Sequence, residues 1–132
     1  MRRHSFGITA MLLATALCAP LAHSDSHSQS QMGAVATMAN IVIGLQHFPS
    51  DADKAALAAI AEGDASSSVK AVARAIANIS HKVSADDQAT LATIAADESE
   101  PAELRELASI VNGVNHVPSA EAVAALQGLA SH

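Results

Sequence analysis

Leu45-Gln46-His47-Phe48-Pro49-Ser50 returns later in the chain as Ile79-Ser80-His81-Lys82-Val83-Ser84, and again as Val114-Asn115-His116-Val117-Pro118-Ser119. In each hexapeptide an aliphatic residue stands two places before a histidine, and a serine stands three places after it. The histidines are separated by 34 and then 35 residues. Downstream, Ala55, Ala89 and Ala124 fall in register, then Leu57, Leu91 and Leu126, then Ile60, Ile94 and Leu129, then Ala61, Ala95 and Ala130. Upstream, Val35, Val69 and Leu104 align, followed by Met38, Val72 and Leu107 and by Val42, Ile76 and Val111. Agreement at so many positions reads as an internal repeat, with units at 33–66, 67–100 and 102–132.

Each unit reads as two helices. In the first unit Val35, Met38, Val42 and Leu45 are spaced to form one stripe on an α-helix. Gly44, Asn78 and Gly113 precede the aliphatic residue of each hexapeptide. Either they take a left-handed conformation that stops the helix, or they allow close contact inside a longer one. The second helix starts at Ser50, Ser84 and Ser119, whose hydroxyls can accept from backbone N–H groups two or three residues on. Asp51, Asp53, Asp86, Asp87 and Glu121 in the first turns suit the helix dipole. Polar connectors at 62–66 and 97–101 separate the units, and Pro101 fits the start of the third.

The expected fold is therefore all-α: three αα-hairpin repeats of about 34 residues in a compact six-helix array, either solenoid-like or closed into a bundle. The period is that of tetratricopeptide repeats, but the Trp, Tyr and Phe positions of that pattern have no counterpart here. Aromatics are nearly absent, so the core depends on Leu, Ile, Val and Met, and modest stability is expected.

The N-terminus reads as an export signal over residues 1–24. Arg2 and Arg3 precede an apolar run from Phe6 to Leu21, and Ala22-His23-Ser24 offers small residues for cleavage. The run is too short for a firm membrane span, and Leu17 before Cys18 lacks the small side chain of a lipidation site. Residues 25–31 read as a disordered polar lead and 32–132 as one domain. Without the signal the chain keeps 5 of 7 basic and all 13 acidic residues, a formal charge of −8. That balance argues against nucleic acid as a partner. No cysteine follows Cys18, so neither a disulfide nor a thiol nucleophile is expected. The implied location is periplasmic or secreted.

His47, His81 and His116 are the candidate ligand residues. Imidazole suits Zn²⁺ and Cu²⁺, and histidine pairs also hold non-covalent haem. In an open solenoid, equivalent histidines would lie about 10 Å apart, too far to share an ion. Only a closed, roughly threefold arrangement would gather them. The alternative role is local, each histidine packing its own turn and bonding helix-end backbone groups. His27 and His132 stand near chain ends. The acids Asp86, Asp87, Asp97, Glu98 and Glu100 fall at helix starts and in a connector, where dipole or solvent roles explain them. No phosphate loop, nucleophile elbow or zinc-protease motif is present, so enzymatic activity is not expected.

Three functions follow as expectations. One is an exported, non-enzymatic module that binds another protein, whose identity the sequence does not give. Another is a periplasmic metal- or haem-binding protein that uses His47, His81 and His116. An apolar-ligand carrier is a third. The first predicts an exposed apolar patch or groove, and the second predicts converging imidazoles.

Overall fold

Aliphatic residues at helical spacing, broken by serine caps and polar connectors, dictate the elements that form. The computed structural model describes residues 24–132, so the expected export signal, apart from Ser24, lies outside the described residues. Six helices run in order: α1 Ser24–Ile43, α2 Asp51–Glu62, α3 Ser67–Ala77, α4 Ala85–Ala96, α5 Ala102–Asn112 and α6 Ala120–Leu129. Among the described residues there is no strand, only isolated bridges joining Ser80, Lys82, Asn115 and Val117. No helix among them is long and apolar enough to cross a membrane.

Serine caps set the second helix of each pair. The hydroxyls of Ser50, Ser84 and Ser119 accept from the backbone N–H of Asp53, Asp87 and Ala122, each at 3.1 Å. At Ser50 the bond is returned, since its own N–H donates to Asp53 Oδ2 at 3.1 Å. Helix α1 begins earlier than the composition suggests. Residues 25–31, expected as a disordered lead, form its first turns, exposed over residues 26–30. No Gly or Pro interrupts them, so the packed part of α1 can propagate helix outward. Ser30 Oγ donates back to the Ser26 carbonyl at 2.9 Å, removing one of its competing options.

One hydrophobic core fills the molecule. Helices α1, α3 and α5 pack against one another at its centre. Met38, Val72 and Leu107, one from each central helix, are fully buried. So are Ala39, Ala73 and Ala108, whose small side chains let the three axes approach. Each larger aliphatic contributes about 1.5–3 kcal/mol by leaving water. The outer helices give Leu57, Leu91 and Leu126 to the same core.

The principal helix pairs differ from the expected hairpins. Helix α2 packs mainly on α3, α4 on α5, and α6 on α1, while the two helices within each expected hairpin touch less. Loop lengths explain the difference. Residues 63–66 and 97–101 are short connectors that fold one helix straight back on the last. The segments 44–50, 78–84 and 113–119 are seven residues each and carry the chain outward before the next helix starts. Arginines reinforce the tight joints: Arg74 Nη2 donates to the Ala61 carbonyl at 3.2 Å and Arg105 Nε to the Ala95 carbonyl at 3.3 Å, satisfying helix-end acceptors. Ser68 Oγ, in the first turn of α3, donates to Glu100 Oε1 in the second short connector. Because the last helix packs on the first, the array closes on itself and is not an open solenoid.

Candidate functional site

The three seven-residue segments converge at one end of the bundle, where the central helices finish. Their geometry begins with the helix stops. Leu45 N–H donates to the Val42 carbonyl at 3.2 Å, Ile79 to Ile76 at 3.1 Å, and Val114 to Val111 at 3.0 Å. The aliphatic residue thus folds back into the core through a tightened last turn. Gly44, Asn78 and Gly113 do not supply a left-handed stop. Asn78 has φ −84° and Gly113 φ −89°, and no glycine among the described residues has positive φ. The left-handed conformation falls instead on the histidines: φ is 103° at His47, 68° at His81 and 67° at His116.

That conformation turns the three peptide backbones toward one another. His47 N–H donates to the His116 carbonyl at 3.0 Å, His116 N–H to the His81 carbonyl at 2.5 Å, and His81 N–H to the His47 carbonyl at 2.7 Å. The bonds form a closed cycle of three. Each histidine gives one N–H and takes one carbonyl bond, in turns where neither helix nor sheet offers a partner. A left-handed L-residue is strained by about 1–2 kcal/mol, although histidine is among the residues found there more often than most. The sequence places that strain three times in equivalent positions.

The side chains gather over the cycle. Ring centres are 5.3 Å apart for His47 and His81, 5.7 Å for His47 and His116, and 5.4 Å for His81 and His116. Interplanar angles of 79°, 86° and 60° make all three contacts edge to face. All three residues are solvent-exposed. Nδ1 of His116 lies 2.8 Å from Asn115 Oδ1. With that oxygen accepting, Nδ1 carries the proton and Nε2 keeps a lone pair.

Among the described residues no set of three or more His, Cys, Asp or Glu side chains stands ready to hold a metal ion as placed. Two of the ring-centre separations, 5.3 and 5.4 Å, nevertheless fall in the range that one ion requires, and the third, 5.7 Å, lies just above it. A nitrogen about 2.0–2.1 Å from Zn²⁺ puts its ring centre about 3.2 Å from the ion, so two such rings at tetrahedral to trigonal angles sit about 5.1–5.5 Å apart. Rotation about the Cβ–Cγ bond leaves a ring centre almost in place and changes where its nitrogens point.

The sequence reading named His47, His81 and His116, and the structure brings the three together. His27 lies on the exposed first turns of α1, and His132 ends the chain beyond α6. Asn115 was missed, although Gln46, Ser80 and Asn115 are all polar and each directly precedes a histidine. Also missed were the apolar neighbours Phe48, 62% exposed, and Val117, 51% exposed, directly after two of the histidines. Beside His116, a groove of about 700 Å³ runs between α5 and α6, lined by Ile110, Val114, Asn115, Val117, Pro118 and Glu121 among others. Compared with known proteins, the chain matches no family model, no curated protein and no solved structure.

Proposed function

We propose that this is an exported, non-enzymatic metal-binding protein, built from three copies of one helical unit, in which His47, His81 and His116 together hold one divalent transition-metal ion. The observation that carries the reading is the trio of ring-centre separations, 5.3, 5.7 and 5.4 Å, between residues 34 and 35 apart in the chain. Conformational strain supports it too. Glycine or asparagine would satisfy the backbone at these positions more readily, yet all three carry imidazole. A purely structural turn has no need of that choice.

Zn²⁺ and Cu²⁺ fit three nitrogen donors. Haem fits less well, because rings in edge-to-face contact leave no gap for a porphyrin between two axial ligands. The acids of the neighbouring first turns, Asp51, Asp53, Asp86, Asp87 and Glu121, give the surroundings a negative field that favours a cation. Export rests on the Arg2-Arg3 and Phe6–Leu21 pattern and implies a periplasmic or secreted setting.

A second reading, a module that docks another protein, is favoured by exposed Phe48 and Val117 and by the groove between α5 and α6. Titration of the folded chain with Zn²⁺ separates the two. The metal reading predicts one ion per chain, bound at least tenfold more weakly on replacing His81 by Gly, a residue suited to φ 68°. A folded chain that takes no ion leaves the docking reading in its place.

A further inference from the structure

The histidine end of the molecule faces solvent. The residues that follow the three histidines are Phe48, Lys82 and Val117, all exposed, and none is a carboxylate, thiol or imidazole. Asp53 and Asp87, in the first turns of the helices that leave this end, are engaged in their caps. Ser50 Oγ donates to Asp53 Oδ2 at 2.6 Å and Ser84 Oγ to Asp87 Oδ2 at 2.7 Å. Asp51, Asp86 and Glu121 stand in the same first turns, and the three imidazoles are the nitrogen donors this end of the fold gathers.

We infer that an ion on the triad keeps a coordination position open to solvent and accepts a small monoanion there, a carboxylate or a ligand of like size, with the Lys82 ammonium beside it. The inference rests on the metal reading given above. Closed structural zinc sites use four protein ligands, whereas three ligands and an open position leave room for water or an added ligand. Neutral donors leave the ion its full positive charge, so a bound water is acidified and an anion competes well with it. Lys82 is tethered at this rim, because it follows His81 and its backbone pairs with Asn115, the residue before His116. The surrounding first turns are acidic, which opposes an anion on the metal-free chain. Anion binding at this end must therefore depend on the ion.

The test uses the folded chain loaded with Co²⁺, whose visible absorption reports the ligands around it, and titrates it with azide or acetate. The expected result is a saturable spectral change with both anions, absent without Co²⁺. On the chain saturated with Co²⁺, Lys82→Glu weakens azide about tenfold, while Co²⁺ affinity is not lowered, since the added carboxylate favours a cation. If Co²⁺ binds and neither anion changes its spectrum, the open position is wrong and the triad reading stands. An equal azide response in Lys82→Glu overturns the part given to Lys82. Failure of Co²⁺ to bind a folded chain removes the triad reading and this inference together.

Discussion

His47 donates its backbone N–H to the carbonyl of His116 at 3.0 Å, joining the first of the three turns to the last. The bond needs φ 103° at His47 and φ 67° at His116, and it forms only because α6 packs back on α1 and brings the third turn beside the first. Closure of the bundle and convergence of the imidazoles are thus one event.

Glycine at these positions should separate fold from function. His47→Gly, His81→Gly and His116→Gly each relieve left-handed strain, offset in part by the greater freedom of glycine in the unfolded chain. A gain of about 0.5–1 kcal/mol per site is expected. His81→Val, β-branched at φ 68°, should lose about 1–3 kcal/mol. Thermal unfolding without metal reads both, and destabilisation by all three glycines would mean that the imidazoles hold the end together.

The core predicts that both shrinking and enlarging a central side chain destabilise the fold. Leu107→Ala should cost about 2–5 kcal/mol by opening a cavity where Met38 and Val72 are also fully buried. Ala73→Leu should cost about 1–3 kcal/mol by forcing the central helices apart. Urea unfolding measures each. Tolerance of leucine at residue 73 would contradict close approach of α1, α3 and α5.

The serine caps are independent of the metal question. Ser84→Ala removes the acceptor for the Asp87 N–H and should cost about 0.5–2 kcal/mol, with Ser119→Ala similar. Ser84→Gly should cost only a few tenths of a kcal/mol. Chemical denaturation of the three variants at neutral pH checks the order.

Among the described residues, Asp97 is a source of acid sensitivity. Asp97 Oδ1 accepts from Ser99 Oγ at 2.6 Å and from Ser99 N–H at 2.9 Å, and these bonds, with a smaller contribution from Arg105, hold its carboxyl below the ordinary carboxylate range. A folded-state value below the unfolded one gives stability that is present above about pH 4–5 and is lost as pH falls through the folded value. The stability difference between the parent chain and Asp97→Asn should therefore shrink on acidification. A difference that is constant from pH 7 to pH 3 would show that the turn does not depend on the charge.

Much of this fold could be read from residue spacing. Val35, Met38 and Val42 and their counterparts marked the buried stripe, and Ser50, Ser84 and Ser119 marked helix starts, because both depend on short-range rules of period and capping. Pairing of α2 with α3 was not legible, since hairpin reasoning uses chain order while packing follows loop length. Propensity offers a left-handed stop at Gly44, Asn78 and Gly113 as one of two readings, but cyclic hydrogen bonding among distant turns puts that conformation at His47, His81 and His116 instead. The histidines were visible as candidates. Their meeting was not, because open and closed arrays bury the same stripes and differ only in whether α6 reaches α1.

The most direct test is calorimetric titration of Zn²⁺ into the folded chain and its three histidine-to-glycine variants, with folding of each verified beforehand. The account predicts one ion per chain, with affinity reduced at least tenfold in every variant. Absence of binding, or binding that survives loss of any one imidazole unchanged, would contradict it.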